Sequence, residues 1–481
     1  MINKKNLITL DNVSKLSVSE VKKIYKENIN PGLVKILSSF GSGNELIDKA
    51  DGMYLYSRNT KILDMTGGLG VLNHGHNDSR ILEARINYQK NKIMETHKNH
   101  FSRYSAGLAK NLSILFEEKL PISFFCNSGA EAIDGALKIS YKYYNGKKKY
   151  ALHSDRSFHG KTIGASSISS ADSFYNKNES SFEFQKIQNL ISFKFNDLNS
   201  IQEIINRTKD KYNKSNIYSI FVEPFSASTV SESSIDFLQK IKMIAEKEGI
   251  VLVFDEIYTG FGKTGHLFNF NKANIYPDIV TISKSLGGGK SSISAYSCSR
   301  RLFDKSYGTI NSSLMHTTTY NGFGEECATA IEALNILIND NYVEKSKINE
   351  EIILNNLEIL SQKHSAIIKE YRGCGSLFGL IFNNQLKYFN NLKKIIPLEF
   401  FQDKFLTQKL VVGSIVDHLY REHKILTYLT QNTDVILYIS PSIIISKEQI
   451  KYFFESLDST LSMSINKLVL KFIKNKFGII S

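Results

Sequence analysis

Two short apolar runs constrain this chain more than any other feature. Ile250 to Phe254 and Asp278 to Ile282 are each long enough for a strand, rich in β-branched residues, and free of the alternation that marks a half-solvated sheet. Such runs fit parallel strands buried on both faces, so the chain is expected to fold as α/β around an open sheet. Asp255 closes the first run and Lys284 follows the second. In open α/β sheets ligands bind beyond the carboxyl ends of the strands, which would bring both side chains to one crevice.

Taken singly, Asp255 reads as a turn cap and Lys284 as a solvated surface lysine, since most such residues lie exposed at element ends. Taken together, an acid and an amine facing one site point to pyridoxal phosphate. The lysine would hold the cofactor as a Schiff base, and the carboxylate would keep the pyridine nitrogen protonated so that the ring accepts electrons. The surrounding stretches, DEIYTGFGKTG and SKSLGGG, resemble the signature of class III (ω-amino acid type) aminotransferases of fold type I. That resemblance implies a large cofactor domain built on a mainly parallel sheet and a smaller α+β C-terminal domain.

The bulk properties are compatible with this reading. A chain of 481 residues suits two or three domains, and 42% hydrophobic with 22% charged residues is ordinary for a globular protein. The formal charge of +13 raises the question of an acidic partner. The lysines are spread along the chain, however, and an Arg-rich or RNP-type block is missing, so neither nucleic acid nor membrane is an expected partner. Cys126, Cys298, Cys327 and Cys374 are far apart and form no CxxC pair, which indicates neither a disulfide framework nor a zinc site. With no apolar leader at the N-terminus, the expected location is cytoplasmic.

Taken in order, the first 45 or so residues read as a packing arm with one amphipathic helix near Val18–Glu27, broken at Pro31 and Gly32. MYLYSRNTKILDMTGGLGVLNHGH then alternates as hairpin strands do and turns on Gly67, Gly68 and Gly70, which either make the turn or also meet substrate. In FFCNSGAEAIDGALKIS, Ser128 and Glu131 stand in capping-box relation before a helical apolar pattern. The first amides of that helix, at Gly129 and Ala130, are a natural seat for a phosphate. The stretch matches the family's N-S-G-[AT]-E-A, although many relatives carry Thr where Ala130 stands. SDRSFHGKTIGA resembles the family's F-H-G element. It implies that Phe158 stacks on the cofactor, that His159 supports the pocket, and that Lys161 occupies a place where some relatives bind a substrate carboxylate with arginine. IYSIFVEP is a further buried strand ending at Glu223 beside the crevice, followed by a helix at Ser234–Lys247 stopped by Gly249.

Two departures from the family stand out. Its usual E-P-x-x-G-E-x-G pairs the second Glu with an Arg before a C-terminal Pro-Pro; here Ser228 takes the place of that Glu and Tyr438 the place of that Arg. Both halves of the ion pair are gone together, as expected when one buried charge without its partner costs several kcal/mol. In relatives that pair lets one pocket accept an amine end and a carboxylate end, so its absence bears on the choice of acceptor. Tyr258 stands where most relatives place Gln near the cofactor's phenolic oxygen, and its hydroxyl offers the same hydrogen bond. LMHTTTYNGFGEECATAIEAL resembles the H-x-x-T-[FY]-x-G element. By that alignment Thr319 reaches the phosphate of a neighbouring subunit's cofactor, which implies a homodimer with shared sites.

From about Lys345 a long helical pattern and short strands follow, as in the family's small domain. The tail INKLVLKFIKNKFGII is basic and amphipathic, and it is expected to pack on the body of the protein. The chain thus divides into residues 1–70 (arm and hairpin), 71–340 (large cofactor domain) and 341–481 (small domain). Through INPG, FFCNSG and MHTTTY it is similar above all to putrescine aminotransferases. The expected reaction is transfer of an amino group between a primary amine, a diamine or ω-amino compound, and a keto acid. The alternatives are a biosynthetic amination of an aldehyde or ketone, and an aminomutase or lyase on the same fold.

Overall fold

The run Val251–Asp255 is the middle strand of a seven-stranded sheet, and each of its five residues is buried. The computed structural model describes residues 7–58, 60–96, 99–170, 187–383 and 405–477. The first three strands, β1 (Lys49–Asp51), β2 (Tyr54–Ser57) and β3 (Thr60–Asp64), pair antiparallel in that order, and β2 with β3 is the hairpin that the alternation predicts. The large sheet draws on β4 (Ile122–Cys126), β5 (Tyr150–Ser154), β6 (Leu190–Phe193) and β7 (Ile217–Val222). A two-strand hairpin, β8 (Phe225–Ser226) with β9 (Ser231–Glu232), interrupts the series before β10 (Val251–Asp255), β11 (Ile279–Ile282) and β12 (Ser294–Cys298) complete it. The order is β4-β12-β11-β10-β7-β5-β6, with β12 antiparallel to both of its neighbours and the other neighbouring strands of the sheet parallel.

The remaining strands are β13 (Ile368–Cys374), β14 (Leu377–Phe382), β15 (Ile425–Leu426), β16 (Tyr428–Gln431) and β17 (Val435–Ile439). Four of them form an antiparallel sheet in the order β13-β14-β17-β16, whereas β15 runs parallel to β3 and closes the N-terminal sheet. Two large hydrophobic cores match these sheets. One joins the large sheet to its helices through residues such as Leu252, Phe254, Val280 and Leu337. The other gathers Leu380, Leu437, Phe453 and Phe472 of the C-terminal third and also takes in Met53, Leu63 and Met65 of the hairpin. The second core draws the hairpin into the packing of the C-terminal third.

Local sequence accounts for most element ends. The helix Ile235–Glu248 starts where the Ser234 hydroxyl accepts from the Phe237 amide, and it stops at Gly249, whose φ of 58° is left-handed backbone suited to glycine. Pro31 does end the first amphipathic helix, Val18–Asn28, but it also begins another. With Asn30 accepting from the Gly32 and Leu33 amides, Pro31 sits in the first turn of Pro31–Ser38, where its missing N–H costs nothing. The C-terminal helix Ile465–Phe477 buries Leu468, Val469, Phe472 and Ile473, so its apolar face packs on the protein body.

Phe472 lies 5.7 Å from the ring of Phe40 and is 4% exposed. Truncation by Phe472→Ala is expected to destabilise the fold by about 3 kcal/mol, as removal of a buried aromatic does, and urea unfolding would read the loss directly.

Candidate active site

Five strands of the large sheet end at one edge, and each delivers a side chain or a backbone group to the same cavity. After β4 the chain enters the helix Gly129–Tyr143, after β5 it reaches Phe158 and His159, β7 leads to Glu223, β10 ends in Asp255, and β11 runs into Lys284. The cavity has a volume of about 330 Å³ and is lined by, among others, Gly129, Ala130, Phe158, His159, Glu223, Asp255 and Lys284.

Asp255 is 5% exposed, so its carboxylate needs hydrogen-bond donors from the protein. His159 Nδ1 donates to Oδ2 at 2.6 Å, while Oδ1 accepts from the Ile257 amide at 3.0 Å and the Thr281 hydroxyl at 3.2 Å. Burial pulls the His159 ring toward neutrality, but the hydrogen bond to Asp255 and the charges of Asp255 and Glu223 outweigh it and raise its pKa. The ring's Nε2 is buried without a hydrogen-bond partner among the described residues. Glu223 accepts from the Phe158 amide at 2.9 Å, and burial above all lifts its carboxyl to about 7, against the opposing charge of His159.

Lys284 sits in left-handed backbone with φ 47°, a strained conformation for a residue with a side chain and one that recurs at functional sites. Burial lowers its pKa to about 8, with Asp255 and Glu223 pulling the other way. A buried lysine near neutrality is a nucleophile, and an adjacent acid paired to histidine is a fixed negative site for a cationic ring nitrogen. A helix N-terminus offers amides to a phosphate. The donor set therefore fits pyridoxal phosphate, and no cluster of metal-ligating side chains occurs among the described residues.

Several expected details turn out differently. Ser128 caps the helix by accepting from the Glu131 amide at 3.3 Å, but Glu131 reaches back to the Asn127 amide at 2.8 Å, one residue before the cap, so the reciprocal box is not closed. Ser128 itself is exposed and does not line the cavity, unlike Gly129 and Ala130. Lys161 is exposed and lies outside the lining. Thr319 is likewise exposed, in a loop outside the cavity of its own chain. The Tyr258 hydroxyl is engaged elsewhere, at 3.0 Å from Ser440 Oγ and 3.3 Å from Tyr428 Oη.

Ser228 and Tyr438, distant in sequence, do meet in the cavity wall. The Tyr438 hydroxyl donates to the Ala227 carbonyl at 3.0 Å, and Asn432 Nδ2 donates to Ser228 Oγ at 3.0 Å. Tyr428 and Thr430, which sequence reasoning missed, line the same wall from β16. Their i, i+2 spacing on a strand is the signal that places both on one face. Lys263 was also missed: it is fully buried behind the wall, where its Nζ donates to the carbonyls of Ser440 at 3.3 Å and Pro441 at 2.6 Å.

A family model described as aminotransferase class-III matches residues 40–461. Among solved structures, the chain is similar to a transaminase from the marine bacterium Virgibacillus, 20% identical, with 89% of this chain and 94% of that one covered and a TM-score of 0.75. It is also similar to an ornithine aminotransferase from Toxoplasma gondii ME49, 19% identical over 94% of this chain and 98% of that one, with a TM-score of 0.76. An (S)-enantioselective omega-transaminase from Thermomicrobium roseum is 21% identical over 87% and 92%, with a TM-score of 0.74. At these identities the solved structures speak for the fold.

Burial brings the Lys263 pKa from 10.5 down to about 7. Between those values the folded protein binds fewer protons than the unfolded chain, so this lysine makes stability rise with pH above 7. Relative to Lys263→Met, the wild-type protein is expected to gain on the order of 1 kcal/mol per pH unit between pH 7 and 9, read by urea unfolding at each pH.

Proposed function

Because the chain belongs to the class III aminotransferase family, we propose that it moves an amino group between a primary amine, a diamine or ω-amino compound, and a carbonyl acceptor of the keto-acid kind. The observation that carries this reading is the pairing of Lys284 with the Asp255–His159 couple at the ends of adjacent strands in one cavity. Enzymes of this family depend on pyridoxal 5'-phosphate. Asp255, Phe158, Lys284 and the Gly129 and Ala130 amides would hold it, with Ser128 shaping the helix terminus. When bound, the cofactor supplies an electron sink for the substrate carbon next to nitrogen.

The chain's own residues do the rest. Lys284 Nζ, made less basic by burial, takes a proton from that carbon and returns it on the far side of the transfer. Asp255, held by three donors, keeps a negative charge fixed at the base of the cavity without needing water. Glu223 fixes the Phe158 backbone, and His159 orients the Asp255 carboxylate. Thr319 is proposed to act on a second copy of the chain. Ile310, Leu314 and Tyr320, near it in sequence, are exposed apolar side chains of the kind a second copy would cover. Among the described residues no helix is long and apolar enough to cross a membrane, and a cytoplasmic location is part of the proposal.

A second reading is favoured by the cavity wall. Apart from Lys284, no lysine or arginine of the described residues lines it, and Tyr428, Tyr438, Phe225 and Ala227 make it largely apolar. Such a wall suits an aldehyde or ketone acceptor without a carboxylate at that end, as in a biosynthetic amination.

Visible spectra separate these readings. The purified protein is expected to show the absorbance of lysine-bound cofactor, to bleach with putrescine, and to recover with 2-oxoglutarate or pyruvate; a band that persists with putrescine removes the diamine. Lys284→Ala should lose both band and turnover. Asp255→Ala should retain some cofactor while the proton-transfer step slows by roughly three or more powers of ten. Wild-type rates in Asp255→Ala would contradict the role given to that carboxylate.

A further inference from the structure

Tyr258 is packed against Lys284 in a way that the cofactor assignment alone does not require. Lys284 Nζ lies 3.8 Å from the centroid of the Tyr258 ring, over its face. The amine makes no hydrogen bond or ion pair among the described residues, although Asp255 and Glu223 line the same cavity. The ring is fixed on every side. Its hydroxyl is tied to Ser440 and Tyr428, and the Tyr438 ring meets it edge-on at 6.0 Å. On the remaining side Gly70 comes so near that a Cβ there would lie 2.9 Å from the ring carbons. Lys263, by donating to the Ser440 and Pro441 carbonyls, fixes the segment that bears the hydroxyl's partner.

We propose that Tyr258 is the positioning residue for Lys284, its ring face holding the free amine at one place in the cavity whenever the lysine is not bound to cofactor. The inference rests on Lys284 being the cofactor's lysine. An ammonium over an aromatic face is attracted by the ring quadrupole, more strongly where water is excluded. The ring thus opposes the burial that lowers the amine's basicity, and it does so without a second charge that would compete for the cofactor. The other groups facing the amine are Asp255 with its partner His159, and Glu223. Tyr428 and Tyr438 are held protonated by burial, and Lys263 lies beyond Ser440. An apolar side chain at position 258 would leave those groups in place and remove the π face together with the hydroxyl, whose share Tyr258→Phe isolates.

The test uses full-length protein stripped of cofactor and follows the visible absorbance as pyridoxal 5'-phosphate is added across pH 6 to 10. Bond formation needs the neutral amine, so the rate's midpoint reports its pKa, with Lys284→Ala as the baseline. Tyr258→Phe, which keeps the face and drops the hydroxyl, is expected to keep the wild-type midpoint. Tyr258→Leu and Tyr258→Met are expected to move it down by about one pH unit, the size of a desolvated cation–π contact. Unchanged midpoints in both apolar variants, or an equal shift in Tyr258→Phe, would overturn the proposal. Thermal melts of the cofactor-free proteins identify a variant that fails to fold, and having two apolar variants leaves a second reading. A wild-type protein that develops no Lys284-dependent band overturns the lysine assignment beneath it instead.

Discussion

A carboxylate that is buried at the end of the central strand sets the terms for everything around it. Left unpaired, the Asp255 charge would cost several kcal/mol, so its donors must be in place whenever the protein is folded. They come from three elements: the turn that follows β10, the neighbouring strand β11 through Thr281, and the loop after β5 through His159. Sheet order and loop path are thereby tied to one side chain. Because Phe158 precedes His159 and gives its amide to Glu223, the same requirement fixes an aromatic ring and a second carboxyl at the cavity edge.

Burial also brings opposite groups to similar proton affinity. Desolvation disfavours charge of either sign, so Lys284 falls to about 8 while Glu223 rises to about 7. An amine and an acid that both change state near neutral pH suit a site whose task is to move a proton at one carbon and restore it at another. The strained backbone at Lys284 belongs to the same economy, since a left-handed residue directs its side chain where an ordinary strand end would not.

How much of this the sequence discloses depends on how local the cause is. Asp255, Lys284, Glu223 and the Gly129 helix terminus follow from strand runs and the positions directly after them, and the large mixed sheet follows from the same runs. The paired loss at Ser228 and Tyr438 is also legible, and the two side chains do face one cavity. What the sequence does not disclose is decided by contacts between remote elements. Tyr258 offers a hydroxyl in principle, but Ser440 and Tyr428, far along the chain, take it. Lys161 sits beside a motif and still lies exposed outside the lining. Thr319 lies outside its own cavity, and the hairpin's place in the second core depends on β15 pairing with β3. For Tyr258 and the hairpin the deciding partner is a long-range neighbour that periodicity cannot name.

The wall at Ser228 and Tyr438, where the family's pattern would set an ion pair, shows how a neutral pair stays compatible with folding. Replacing one charge would strand the other, whereas replacing both permits a neutral wall of similar volume. Here the tyrosine hydroxyls of Tyr258, Tyr428 and Tyr438 find partners in the Ala227 carbonyl, Ser440 and one another, so none of the three is stranded. Lys263 supports the arrangement from behind and spends its donors on carbonyls instead of on the cavity. A charged gate selects by sign and must swing to admit a neutral end, but a tyrosine wall tied to backbone and neighbouring hydroxyls selects by shape and by the attraction of π faces for cations. Discrimination between substrates at such a wall follows from fit and desolvation, which places the burden of recognising any carboxylate on residues outside it.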